Sequence, residues 1–285
     1  MEIKCSGCGA EVGPDDRFCE SCGLRQPARA DHAEQDLGAV VGITDRGLRH
    51  RRNEDSMASR VLDDTVITVV SDGVSVSDRP DEASRLAVDT AAERLAELIG
   101  QVGPETATEQ AAAAAAAAVI DMAPSGDRDH APACTYVSAV ITPEAVTVGW
   151  IGDSRAYWLA GESQLLTADD SWAFEAVSAG RFTAEQAAAD PRAHALTRWM
   201  GADAGLTPAH VTTFRPTGPG LVLLCSDGLW NYCPSAEGLA GLVMPDAVTA
   251  PLPAAKILIQ FALLHGGHDN ITATLTPFPP ERKPR

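Results

Sequence analysis

Positive charge and aromatic rings are both scarce in this chain of 285 residues. Lys and Arg number 22 against 39 Asp and Glu, a formal net charge of −17. A field of that sign repels nucleic-acid phosphates and anionic lipid headgroups, so neither is expected as a partner. Phe, Trp and Tyr make up only 5% of the residues, so the core has to be aliphatic and rich in Ala. Long apolar runs are missing as well. The longest, Ala111 to Ile120, is about half of the ~20 residues that a membrane span requires. The opening MEIKCSGCGA carries no apolar stretch of the signal-peptide kind. These absences together predict a cytoplasmic protein without a membrane span. In that setting the seven cysteines are expected as thiols, metal ligands or core residues rather than disulfides.

What is present divides unevenly. Four of the cysteines crowd into the first 22 residues as two CxxC pairs, Cys5/Cys8 and Cys19/Cys22, each pair followed by Gly (Gly9, Gly23). Two such knuckles can place four thiolates around one tetrahedral Zn²⁺. The glycines permit the left-handed turn that a knuckle needs. The segment offers only Ile3, Val12, Phe18 and Leu24 as core, so metal binding has to supply its folding free energy. Residues 1–24 are therefore expected as a zinc ribbon. Residues 25–37 mix Pro, Ala and charge without an apolar period and are expected as a linker.

From residue 38 to 278 strand-length runs rich in Val, Ile and Thr alternate with turn signals: VVGIT, VITVV, YVSAVIT, VTVGWI, LVLLC and ITATLT. Helical spacing appears over 81–99, over 106–122 (where the Ala run has high helix propensity), over 183–189 and over 253–264. Most strands are joined by short turns and the helices come in blocks. That pattern predicts an α+β fold with antiparallel sheets. Residues 279–285 are left as a C-terminal tail.

Several of these strands carry a carboxylate at one end. VITVVSDG gives Asp72, VTVGWIGDS gives Asp153, and LVLLCSDG gives Asp227. Asp269 precedes ITATLT, and Glu54-Asp55 follow a basic turn that contains His50, Arg51 and Arg52. In an antiparallel sheet the end of one strand adjoins the start of its neighbour, so these groups can converge at one edge. Carboxylates gathered there would repel one another unless protonated or neutralised by hard cations, and oxygen-only ligation favours Mg²⁺ or Mn²⁺. Any single Asp-Gly is an ordinary turn signal; it is the recurrence at strand ends that points to a metal site.

RRNEDS at 51–56, VVSDG at 69–73, GWIGDSRAYWL at 149–159, LVLLCSDGLW at 221–230 and HDNITATL at 268–275 occur in an order that resembles the PPM, or type 2C, metal-dependent protein phosphatases of bacteria. The resemblance implies two packed antiparallel sheets flanked by helices, and two-metal hydrolysis of phosphoserine and phosphothreonine in proteins. By position, Asp72 matches the carboxylate bridging both metals, and the Gly73 carbonyl, Asp227 and Asp269 match further ligands. Glu54 and Asp55 match the pair that holds the other metal through water, and Asp153 matches a ligand of a weaker third metal. Asn270 matches a hydrogen-bonding organiser. A serine/threonine kinase, or its substrates, is the implied partner.

The chain departs from the family pattern in three places. His50 stands where the family usually has Arg, with Arg49, Arg51 and Arg52 around it. Val74-Ser75-Val76-Ser77 replaces Met-Gly-Gly-His, and Asp169-Asp170-Ser171 replaces Asp-His-Ser. His50, Arg51 and Arg52 are the candidates for contact with the substrate phosphate. The residues alone leave open a second reading, a regulatory scaffold with weak or no turnover.

Overall fold

The computed structural model describes residues 3–4, 8, 10–12, 18–23, 31–123 and 130–280. Its main body is a sandwich of two antiparallel sheets. The six-stranded sheet runs in the order Gln164–Leu165, Arg155–Leu159, Gly220–Cys225, Ile271–Phe278, Val41–Asp45, His32–Asp36. The five-stranded sheet runs His210–Phe214, Val146–Ile151, Tyr136–Ile141, Thr65–Asp72, Asp55–Leu62. All pairings within both sheets are antiparallel, as the short turns between apolar runs predicted.

Both sheets are covered on both faces, so their central strands are buried along their whole length instead of alternating. Between the sheets lie Val66, Val70, Val137, Val148, Val222 and Leu224, closed at one end by Trp158 against Phe278 and Phe214. Helices Pro80–Leu98 and Pro104–Asp121 cover the five-stranded sheet, and Ala236–Val243 and Pro251–Leu264 cover the other. Three of these four start with Pro in the first turn, where the missing N–H costs nothing. The Ala run serves as packing. Ala107, Ala111, Ala112, Ala115, Ala116 and Val119 are buried, and their small side chains let the two covering helices lie close together on the sheet.

The expected helices appear within three residues of their expected bounds. The expected linker needs a correction at its C-terminal end. His32–Asp36 is an edge strand, paired with Val41–Asp45 from His32↔Asp45 to Asp36↔Val41. Its pattern HAEQD is polar because it sits at a sheet margin and little of it is covered, which removed the periodic signal. The main body therefore begins by residue 31 rather than 38. Residues 24–30 and 281–285 lie outside the described residues. Among the described residues no helix is long and apolar enough to cross a membrane.

Candidate active site

The two sheets bring their carboxylates to one end of the sandwich. In the five-stranded sheet Asp55, which opens its strand, lies directly across from Asp72, which closes the next. In the six-stranded sheet Gly220–Cys225 delivers Asp227 at the first turn of a short helix, Asp227–Trp230. Its neighbour begins at Ile271, just after Asp269 and Asn270. Two glycines allow the close approach. A Cβ at Gly228 would lie 1.9 Å from the Asn270 carbonyl oxygen, and one at Gly73 would lie 2.4 Å from that of Pro80.

Hydrogen bonds tie the two halves together. The Ser226 hydroxyl donates to Asp55 Oδ2 at 2.7 Å and accepts the Thr272 N–H at 3.0 Å. Asn270 Oδ1 accepts the Glu54 N–H at 2.7 Å, while its Nδ2 donates to the carbonyls of Arg46 and Arg52. Asn270 is thus the organiser expected of it. Ser226 went unnoticed in the sequence, although the repeated Ser-Asp-Gly at 71–73 and 226–228 was its signal.

The electrostatics are those of like charges held out of water. Burial, then the charges of Asp55, Asp227, Asp269 and Asp153, hold the Asp72 carboxyl well above its ordinary range. Asp227 is raised for the same reasons, burial first and then Asp153, Asp269 and Asp55. Burial pushes Asp55 up to about 6 against the opposing bonds from Ser226 and Thr272. Burial, with the Asp169 charge, pushes Asp153 up to about 7 against Arg155. Two oxygens, Asp55 Oδ1 and Asp227 Oδ1, are buried with no hydrogen-bond partner. Orphaned acceptors of this kind are rare in native proteins. With an all-oxygen donor set from both sheets, they fit hard divalent cations. The candidates Asp55, Asp72, Asp153, Asp227 and Asp269 therefore share one electrostatic cluster.

Glu54 stands beside that cluster with its carboxylate already engaged. Arg52 Nε donates to Oε1 at 3.0 Å and the Ser75 hydroxyl to Oε2 at 2.6 Å. His50 lies between two acids, its Nε2 3.1 Å from Asp269 and its Nδ1 4.0 Å from Glu54. Arg52 also reaches Asp81 at 3.2 Å. Of the three phosphate-contact candidates, then, Arg52 and His50 are held by carboxylates and Arg51 projects to solvent. Ser75 belongs to the segment that replaces the family's Met-Gly-Gly-His, and it serves to orient Glu54.

On the other side of the cluster Arg155 makes a two-pronged bond to Asp169, at 2.9 and 2.7 Å, and lies 3.7 Å over the Trp230 ring. These three, with Asp153, Phe174 and His194, border a cavity of about 320 Å³. Asp170 is a second hub that accepts from the Gly152 N–H and pairs with His210. His265 and His268 stand around Tyr232 rather than on the carboxylates. Cys134 and Cys225 are fully buried, and burial pushes the Cys134 thiol up to about 12 and raises that of Cys225 too. Neither can supply a thiolate nucleophile.

In the N-terminal module Ile3–Lys4 pairs with Glu11–Val12, and Gly23 adopts φ +73° while donating to the Cys19 carbonyl at 2.8 Å. The sulfurs of Cys8, Cys19 and Cys22 all lie within 4.8 Å of one another. Among the described residues they are the one such triple of ligand atoms, since the carboxylates at the sheet edge are spread more widely. Cys5 lies outside the described residues.

Comparison with known proteins agrees with this architecture. Residues 46–249 match the family model of protein phosphatase 2C. The chain is 29% identical over 238 residues to the serine/threonine phosphatase stp of Listeria innocua, covering 81% of this chain and 92% of the relative. It is also 29% identical over 241 residues to the serine/threonine protein phosphatase PstP of Mycobacterium tuberculosis, covering 81% of this chain and 43% of that one. The crystal structure of the PstP catalytic domain in complex with two manganese ions superposes with a TM-score of 0.64 at 25% identity, over 84% of this chain and 97% of that one. Stp1 from Staphylococcus aureus superposes with a TM-score of 0.73 at 23% identity, over 85% and 95%, a likeness of fold. With its carboxylates converging at one end of a two-sheet sandwich, this chain belongs to the protein phosphatase 2C family.

Proposed function

We propose that the chain hydrolyses phosphoserine and phosphothreonine in proteins, at a site where Asp72, the Gly73 carbonyl, Asp227 and Asp269, with Glu54 and Asp55, would hold two divalent cations (Mg²⁺ or Mn²⁺). Asp153 is the candidate for a third, weaker site. One observation carries this reading: buried carboxylates from both sheets meet with two of their oxygens unsatisfied. When bound, such cations supply positive charge against the phosphoryl oxygens and lower the pKa of water, which removes the need for a side-chain nucleophile. The chain's own residues do the rest. Ser226 fixes Asp55, Arg52 and Ser75 fix Glu54, and Asn270 fixes the backbone between them. His50 stands at the rim, where a substrate phosphate would arrive, with Arg51 exposed beside it.

Against a scaffold without turnover stands Ser75, in the segment that departs from the family pattern: it adds a hydrogen bond to Glu54 and removes no carboxylate from the site. The partners of this reading are phosphorylated proteins, with a serine/threonine kinase acting in opposition, in the cytoplasm. The N-terminal module is proposed to bind Zn²⁺ through Cys5, Cys8, Cys19 and Cys22. Three sulfurs within 4.8 Å of one another and the Gly23 turn support this, and structural or docking use suits it better than nucleic-acid binding.

The test is hydrolysis of a phosphothreonine peptide with EDTA, Mg²⁺ or Mn²⁺. Turnover is expected only with added cation, and is expected to vanish in Asp227→Asn. Turnover in EDTA, or none with either metal from folded protein that binds Mn²⁺, overturns the assignment.

A further inference from the structure

Two cations of the basic turn are left over once its internal contacts are assigned. Arg46 is used by Asp31 and the His50 carbonyl, His50 by Asp269, and Arg52 by Glu54 and Asp81. Arg49 and Arg51 are exposed and make no hydrogen bond or ion pair among the described residues. Both line one open pocket of about 540 Å³ with His50, Arg52 and Glu54. The pocket therefore abuts the carboxylate cluster, with Glu54 in its wall.

Exposed arginines are commonly just solvated, but these stand on a fixed platform. The Arg46 N–H donates to the Asp31 carbonyl at 2.7 Å and the Leu48 N–H to that of Gly267 at 2.7 Å. Asn270 clasps the carbonyls of Arg46 and Arg52, at the two ends of the turn, at 2.7 and 3.1 Å. The two guanidinium groups are thus offered from a backbone that needs no ordering on binding, which lowers the entropic cost of a contact. In a chain of net charge −17 they make a local exception beside the one place a phosphoryl group must reach.

We infer that Arg49 and Arg51 form a subsite for the carboxylate of an Asp or Glu flanking the phosphorylated residue, so that the preferred substrates are phosphopeptide segments with acidic neighbours. This rests on the phosphatase reading above. Guanidinium suits a carboxylate through two parallel N–H donors. The acidic remainder of the surface repels such peptides, so the subsite also sets where and in what orientation they dock.

The test compares three phosphothreonine peptides of one length with Mn²⁺ present, their flanking positions filled on both sides by Asp, Asn or Lys. The Asp peptide is expected to show a kcat/KM roughly 3- to 10-fold above the Asn peptide, the range that two exposed ion pairs supply, with the Lys peptide lowest. High salt should compress the ratio. In Arg49→Ala/Arg51→Ala the Asp-to-Asn ratio should fall to about one, whatever happens to the absolute rate. In Arg49→Lys/Arg51→Lys most of it should return. Equal turnover of the Asp and Asn peptides by the unaltered protein overturns the inference and leaves the phosphatase reading intact. A preference that persists in the double Ala variant overturns the location. Absence of turnover on all three peptides sinks both.

Discussion

Replacing a carboxylate of the buried cluster should make the metal-free protein more stable. Asp55 is the cleanest case. It is buried, Oδ2 accepts the Ser226 hydroxyl, and Oδ1 has no partner. In Asp55→Asn the amide oxygen can keep the Ser226 bond while the charge is removed. Its folded-state pKa of about 6 lies above the unfolded value of about 3.9. Stability linked to this proton is therefore fully present below pH ~4 and lost as pH rises through about 6. At about 1.4 kcal/mol per pKa unit, the charged form in the empty site costs on the order of 3 kcal/mol. For a domain of this size that corresponds to an increase in Tm of about 6–12 °C as an upper bound, reduced where water and side chains relax.

The assay is thermal unfolding in EDTA across pH 4 to 8. The unaltered protein should lose Tm as pH rises, and Asp55→Asn should lose less. The variant should therefore melt several degrees higher at pH 8 and at the same temperature near pH 4. Added Mn²⁺ should raise the Tm of the unaltered protein more than that of the variant. A metal-free Asp55→Asn that melts at or below the parent at pH 8 would refute the claim that these carboxylates are held together at a cost.

Two further outcomes are expected. Gly228→Ala should destabilise the fold by more than 2 kcal/mol, or abolish metal-dependent turnover, because its Cβ would meet backbone oxygen 1.9 Å away where nothing flexible can yield; urea unfolding and peptide hydrolysis check it. Cys19→Ser should release Zn²⁺, seen by metal analysis, and leave hydrolysis of a small aryl phosphate within about twofold. A collapse of that hydrolysis would show that the N-terminal module and the sandwich depend on each other.

Much of this site could be read from strand endings. Asp72, Asp153, Asp227 and Asp269 each stand beside an apolar run, and antiparallel pairing gathers such ends within each sheet; the packing of one sheet on the other, which joins the two groups, leaves no local pattern. The cross-strand position of Asp55 and Asp72 follows from register, which the sequence does not print. The edge strand His32–Asp36 escaped because an uncovered strand has no reason to alternate. The roles of Ser75 and Ser226 were hidden for a different reason: each acts on a carboxylate distant in sequence, at Glu54 and Asp55, so no local pattern records it. His50 and Arg52 were visible as basic groups beside acids. That both are already held by carboxylates, leaving Arg49 and Arg51 without a partner among the described residues, appears only once side chains are placed.

The carboxylates belong to two separate sheets, and a row of hydroxyl groups runs down the seam between them. Ser59 meets Thr68 at 3.0 Å within the five-stranded sheet, and Thr68 donates across to Thr274 of the six-stranded sheet at 3.0 Å. Thr44 meets Thr272 at 2.7 Å and receives Asn53 at 2.8 Å. The packed apolar layer resists separation and sliding alike through its interdigitated side chains, and hydroxyl pairs add contacts of fixed direction and length. Two of these bonds, Thr68 to Thr274 and Asn53 to Thr44, cross from sheet to sheet and index one against the other. Changing Thr68 and Thr274 to Val would keep the volume of the seam and remove its index marks. The sandwich is then expected to stay folded while the carboxylates of its two sheets lose their fixed alignment.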